Sequence, residues 1–196
     1  MRLAILSDLH LTVAGMAVPQ VDCDVVILAG DVARPQQAMA WATQFTVPVI
    51  YVPGNHEFYG GSLSGTLAKL RELARGTRVH VLDRDELRLG GVRFLGCTLW
   101  TDFRLMDTEA ERAASMATAS QLIRDFSRVR LDDDGDALFT PERSRQVFDE
   151  SVAWLDKKFA EPFDGTTVVV SHHAPSRGSI NPKNEGSPLN ACFVSD

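Results

Sequence analysis

The sequence predicts an α/β fold, in which helices cover sheets built largely from buried strands. Two observations favour this class: short apolar runs recur along the chain, and segments with helical periodicity lie between them. A chain of 196 residues is also long enough to bury a sizeable core within one domain. We therefore expect a single domain over residues 1–196, with layers of helix on sheet.

Four apolar runs predict strands that are buried on both faces, because they lack the polar alternation of a half-exposed strand. They occupy residues 2–7, 25–29, 47–52 and 166–171. Each run ends directly before a cluster of polar residues. Ligands of open α/β sheets bind beyond the carboxyl ends of the strands, so we expect these polar clusters to meet at one edge.

Three segments between the runs predict helices that cover the sheet: residues 36–45, 65–75 and 141–159. The last has Thr140 as its expected N-cap and Pro141 in its first turn. Its apolar face is marked by Val147, Phe148, Val152, Leu155 and Phe159.

The middle of the chain predicts further strands at residues 79–82, 87–89 and 92–95, the last two joined by a turn at Gly90-Gly91. These strands would add antiparallel pairing to the fold or form a second sheet. Residues 104–130 are rich in Ala, Arg, Met and Glu and interrupt the alternation of strand and helix. We interpret this segment as a small helical insertion that forms a cap.

Composition and charge exclude several classes of protein. A formal charge of −6 disfavours a nucleic-acid partner that is held by covering many phosphates with Lys and Arg. Cys23, Cys97 and Cys192 are widely spaced and contain no CxxC pair, which argues against a disulfide framework and indicates a reducing cytoplasm. No apolar run approaches the length of a membrane span, so a membrane partner is not expected, while the oligomeric state stays open.

The polar clusters contain residue types that bind divalent cations. Asp8 and His10 are two residues apart, and in extended backbone both would point to one side. Asp31 could bridge to a second cation. Carboxylate, imidazole and amide oxygen together suit manganese, iron, zinc or cobalt. Two such cations would keep a net positive charge and attract an anionic substrate.

With these residues the chain resembles the calcineurin-like metallophosphoesterase family, and order and spacing agree along its length. The matching segments are Ser7-Asp8-Leu9-His10, Gly30-Asp31, Gly54-Asn55-His56-Glu57 and Ser171-His172-His173-Ala174-Pro175. The resemblance implies a four-layer α/β/β/α fold, a β-sandwich flanked by helices. It also implies a metal-dependent hydrolase of phosphomonoesters or phosphodiesters that uses a hydroxide bridging two metals.

The resemblance also implies roles for individual residues. One metal would be bound by Asp8, His10 and Asp31, and the other by Asp31, Asn55 and His172. The catalytic residues would be His56, which hydrogen-bonds the phosphate and assists the leaving oxygen, and Asp8, which orients it. The substrate-binding residues would be Asn55, His56 and His173.

The sequence leaves three points about the site and the function open. His172 is favoured over His173 as the ligand, and His173 would contact the substrate or fix the loop before Pro175. The sequence contains no Gly-His-x-His element of the kind that gives each metal one more ligand in the family, so weak metal binding is expected. Alternatives to the enzyme are therefore a catalytically weak or inactive scaffold protein and, second, a nuclease.

The substrate itself is expected to be a small phosphoester. Three arginines, Arg104, Arg112 and Arg177, are candidates for a phosphate clamp, although the sequence favours a solvated surface position for each.

Overall fold

The computed structural model describes residues 1–196 and contains two sheets stacked face to face. The first sheet has four parallel strands in the order of the sequence. These are β1 (Leu3–Leu6), β2 (Val25–Ala29), β3 (Val49–Val52) and β4 (Val79–Val81). The predicted strand at 79–82 is therefore the last strand of the parallel sheet.

The second sheet has three strands, β5 (Asp85–Leu89), β6 (Val92–Cys97) and β7 (Thr166–Ser171). The β5–β6 pair is an antiparallel hairpin that turns at Gly90-Gly91, where both residues have positive φ. β7 then pairs parallel to β6. The predicted hairpin and the predicted second sheet are both confirmed.

Five α-helices surround the sheets: α1 (Pro35–Ala42), α2 (Leu63–Ala74), α3 (Glu109–Leu122), α4 (Asp125–Arg128) and α5 (Pro141–Ala160). Single turns of 3-10 helix span Asn55–Phe58, Arg177–Ser179, Pro182–Asn184 and Pro188–Cys192. No helix combines the length and the apolar character that crossing a membrane requires.

The central strands pack on both faces, as their unbroken apolar runs predict. In β2, Val26 and Leu28 belong to the core beneath α1 and α2, while Val25 and Ile27 belong to the core between the two sheets. This alternation follows from the two-residue repeat of a strand. Phe94 on β6 closes the core between the sheets from the other side.

Helix α5 lies against the outer side of the second sheet. Thr140 caps it, since its hydroxyl accepts a hydrogen bond from the amide of Arg143 at 3.2 Å. At the other end, the buried Arg93 of β6 donates to the carbonyl oxygens of Lys158 and Glu161 at 2.9 and 3.2 Å. The molecule is thus layered helix, sheet, sheet, helix, and the predicted fold class is confirmed.

Candidate active site

The predicted site residues lie in four loops at the carboxyl edge of the sheets. Asp8 and His10 follow β1, Asp31 follows β2, and Asn55 and His56 open the 3-10 helix after β3. His172 and His173 follow β7, which belongs to the second sheet. The loops meet because parallel strands end at the same edge.

The loop backbone differs from the extended conformation that the sequence suggested. Asp8 and His10 have φ of 55° and 45°, and Asp31 has φ of 55°, so all three are left-handed. The prediction that extended backbone directs Asp8 and His10 to one side is therefore wrong. Instead the amides of Asp8 and His10 donate to the carbonyl oxygens of Gly30 and Asp31 at 3.1 and 2.9 Å, which ties the first loop to the second.

Two glycines allow these loops to approach each other. Gly30 has a φ of +91°, and a Cβ on it would collide with the ring of His172. A Cβ on Gly54 would collide with the carboxylate and the backbone nitrogen of Asp31. The Gly-Asp and Gly-Asn pairs of the sequence thus reflect close backbone approach at the site.

The buried carboxylate of Asp31 is the centre of the site. Its Oδ2 lies 3.8 Å from Nε2 of His10 and 3.7 Å from Nε2 of His56, and its Oδ1 lies 3.5 Å from Nε2 of His172. Two ligands that each lie about 2.1 Å from one cation can be at most roughly 4.2 Å apart. Asp31 belongs to two groups whose potential ligand atoms all lie within 4.8 Å of one another: His10, Asp31 and His56, and Asp8, Asp31 and His172.

The tautomer of His172 follows from its surroundings. Its Nδ1 lies 2.9 Å from the carbonyl oxygen of Ala29, which can only accept, so Nδ1 carries a proton, and in the neutral ring Nε2 carries a lone pair. That lone pair faces Oδ1 of Asn55 at 3.1 Å and Oδ1 of Asp31 at 3.5 Å. With a neutral His172 ring, three acceptors face one another, and a cation could bind all three.

Asn55 is oriented by a residue that the sequence did not single out. Its Nδ2 donates to the buried carboxylate of Asp125 at 2.7 Å, which leaves Oδ1 directed at His172. Tyr59 donates its hydroxyl to the same oxygen of Asp125 at 2.6 Å. Asp125 begins α4, so the segment 104–130 contacts the site through this carboxylate.

Glu57 is a second residue whose role sequence reasoning missed. It is 1% exposed and its carboxylate accepts four hydrogen bonds, from the amides of Asp31, Val32 and Gly54 and from the hydroxyl of Tyr51. Burial raises the pKa of Glu57, and the bonds from Tyr51 and Val32 oppose that rise. The carboxylate ties the loop after β2 to the loop after β3.

His56 presents its ring at the open side of the site, with 45% of the side chain exposed. The ring stacks on Tyr59 at a centroid distance of 4.5 Å and lies 4.7 Å from the ring of His10. Partial burial and the neighbouring His10 lower the pKa of His56, so the imidazole is neutral at pH 7. No hydrogen bond or ion pair joins it to Asp8, which instead lies 4.0 Å from Nε2 of His10.

His173 lies behind the site, with 4% of its surface exposed. Its Nδ1 and its backbone amide both lie 3.2 Å from the carbonyl oxygen of Thr98, and its ring stacks on Trp100. Burial lowers the pKa of His173 to about 3, so this imidazole is neutral. The packing favours a role in fixing the loop before Pro175.

The three arginines considered as a phosphate clamp are occupied elsewhere. Arg104 forms two hydrogen bonds to Asp149 at 2.7 and 2.9 Å, and Arg177 pairs with Asp196 at 2.8 Å. The guanidinium of Arg112 donates to the carbonyl oxygen of Met106 at 2.9 Å. None of the three contacts the residues around Asp31.

A helix-flanked β-sandwich thus brings together, at its strand ends, two groups of His and Asp side chains that could hold divalent metal ions. The chain belongs to the calcineurin-like phosphoesterase superfamily, whose domain model matches residues 1–123. It is therefore a hydrolase of phosphoester bonds.

The solved structures with a similar fold include that of phosphopantetheinyl hydrolase (PptH) from Mycobacterium tuberculosis. The two share 21% sequence identity with a TM-score of 0.67, over 99% of this chain and 76% of that chain. No curated protein sequence matches the chain.

Proposed function

We propose that the chain hydrolyses a small phosphoester with two divalent cations bound around Asp31. The proposed ligands are Asp8, His10, Asp31, Asn55 and His172, in a single domain spanning residues 1–196. When bound, the cations supply positive charge for the phosphoryl oxygens and acidify the attacking water. Manganese, iron, zinc and cobalt all suit this donor set.

The observation that carries the proposal is the convergence of acceptors on one point. The Nε2 lone pair of His172 faces the side-chain oxygens of Asn55 and Asp31. Oδ1 of Asp31 also accepts a hydrogen bond from the backbone amide of His56 at 2.9 Å, and a cation would supply the positive charge that its remaining lone pair and the other two acceptors can bind. The carbonyl of Ala29 and the carboxylate of Asp125 supply the outer hydrogen bonds that orient metal ligands in proteins.

Residues of the chain also support the handling of the phosphoester. The neutral, half-exposed ring of His56 can donate a hydrogen bond to a phosphoryl or leaving oxygen. Stacking on the Tyr59 ring orients the imidazole of His56. Asp8 enters the mechanism through its place beside Asp31 and His172 rather than through contact with His56. The loop bonds of Glu57 keep these groups in position.

Chelation tests the metal requirement. We expect EDTA-treated protein to lose the hydrolysis of p-nitrophenyl phosphate and of bis(p-nitrophenyl) phosphate. Added manganese should restore both activities. The comparison of the two esters decides between monoesterase and diesterase.

Asp31→Asn should remain folded and inactive with manganese, whereas Asp22→Asn, at an exposed carboxylate paired with Arg2, should match the wild type. Turnover that persists after metal removal would contradict the proposal.

The same experiments separate the enzyme from the alternatives. A scaffold protein would take up metal, measured by elemental analysis, without turning over either ester. The acidic charge of the chain argues against a nuclease.

The three free cysteines of the chain fit a reducing compartment such as the cytoplasm.

A phosphopantetheinyl ester belongs in the substrate panel, because the structural neighbour carries that activity in its name.

A further inference from the structure

A second polar feature lies beside the site and is named here the arginine pocket. It is an open cavity of about 410 Å³ lined by Arg34, Gly60, Ser127, Arg128, Arg130 and Leu138. Three of its six lining residues are arginines, and none of the six is acidic. In a chain with a net charge of −6, such a concentration of positive charge requires an explanation.

The arginines of this pocket have no carboxylate partner. Arg34, Arg128 and Arg130 form no salt bridge, whereas Arg104, Arg143 and Arg177 each pair with an acidic side chain. Arg34 donates to the carbonyl oxygens of His56 and Tyr59, and the guanidinium groups of Arg128 and Arg130 donate to no group of the protein. Burial and the nearby charge of Arg128 lower the pKa of Arg34, as expected where like charges face each other.

The backbone holds the pocket in place. The amide of Gly60 donates to the carbonyl oxygen of Arg128 at 2.8 Å, and the amide of Arg130 donates to the carbonyl oxygen of Gly61 at 2.9 Å. Leu63 continues this pairing with a bond to the carbonyl oxygen of Arg130 at 3.0 Å. The insertion thus delivers two guanidinium groups to the loop that follows His56.

Arg34 links the pocket to the loop that carries His56 and Tyr59. The Arg34 guanidinium lies over the ring of Tyr59 at 5.4 Å, and the same ring stacks on His56. Arg34 also donates to the backbone carbonyl of His56 at 2.8 Å. A ligand long enough to pass the Tyr59 ring would place one group at Asp31 and His56 and another among the arginines.

We propose that the arginine pocket binds a second phosphate group of the substrate, so that the enzyme selects phosphoesters that carry two phosphates. Guanidinium groups bind phosphate through paired, charge-assisted hydrogen bonds, and those of Arg128 and Arg130 are available for such bonds. This inference rests on the proposed function for the reaction itself. Its binding component involves only the arginines and can be measured without the metals.

Calorimetric titration of inorganic pyrophosphate into EDTA-treated protein tests the binding. We expect the double variant Arg128→Gln/Arg130→Gln to bind pyrophosphate at least roughly tenfold more weakly than the wild type. Arg78→Gln is the matched control, because this arginine is exposed, forms no salt bridge and lies outside the pocket. Equal affinities in the wild type and the double variant would overturn the proposal, whether or not the protein hydrolyses any ester.

Selectivity tests the assignment to the substrate. With manganese, the wild type should show a higher kcat/KM for a nucleoside 3′,5′-bisphosphate than for the corresponding monophosphate. The double variant should lose most of this ratio, and Arg78→Gln should keep it. A ratio that is equal in all three proteins would mean that the pocket binds a separate anion, and it would overturn the assignment. Absence of turnover on every ester contradicts the proposed function but leaves the pyrophosphate result valid.

Discussion

Single residues behind the ligands hold the geometry of this site, and Glu57 is the clearest case. Its carboxylate oxygens lie 2.6–3.1 Å from four donors on three different segments. An ionised carboxylate can accept all four bonds, because it has no donor of its own. The loops carrying Asp31 and Asn55 are therefore joined through one side chain.

Glu57→Gln should destabilise the fold and loosen the site together. The amide nitrogen of glutamine would face backbone N–H donors, so at least one buried donor would lose its partner. We expect the free energy of unfolding in urea to fall by about 2–4 kcal/mol. Glu72→Gln, at an exposed carboxylate of α2, should leave the unfolding curve unchanged. Identical urea midpoints for wild type and Glu57→Gln would contradict this role.

Asp125 acts on the site through Asn55. Without the carboxylate, the amide of Asn55 can rotate and no longer directs Oδ1 at His172. We expect Asp125→Ala to weaken manganese binding about tenfold to a hundredfold, measured by titration of the metal-free protein. Asp136→Ala removes an exposed carboxylate nearby in the chain and serves as the control. Unchanged manganese affinity in a folded Asp125→Ala would show that Asn55 needs no such support.

At the scale of whole elements, the sequence predicts the strands well and the loops poorly. The runs 25–29 and 47–52 are buried on both faces as predicted, whereas this prediction is wrong for 2–7 and 166–171, where Ile5 is 67% and Val169 43% exposed. Helix ends are less certain. The first helix was expected to reach Phe45 but ends at Ala42, because Phe45 is buried against Trp41 from the turn that follows.

For the candidate site too, the sequence predicts some features and does not predict others. The polar clusters at strand ends are visible in the sequence, but the left-handed backbone of Asp8 and His10 depends on hydrogen bonds to the next loop, which sequence spacing does not reveal. The sequence does not indicate the role of Asp125, because this residue lies 70 positions from Asn55 and no local pattern distinguishes it from a surface carboxylate. Long-range partners of this kind follow from tertiary packing, and no local pattern encodes them.

At the scale of the whole molecule, the proposed ligands come from both sheets. Asp8, Asp31 and Asn55 follow strands of the parallel sheet, whereas His172 follows β7 of the second sheet. A cation shared between them would connect the two layers of the sandwich at one edge. Metal binding should therefore stabilise the native state as a whole, since the unfolded chain cannot form the site.

Thermal unfolding measures this linkage. At a manganese concentration about a hundredfold above its dissociation constant, the native state should gain about 2.7 kcal/mol. For a chain of this size that corresponds to a rise in Tm of about 5–10 °C. Asp31→Asn should abolish most of the rise because Asp31 belongs to both ligand clusters, while Asp22→Asn should keep it. A Tm that stays constant across millimolar manganese would refute a shared cation site, because binding to the native state alone must raise the unfolding temperature.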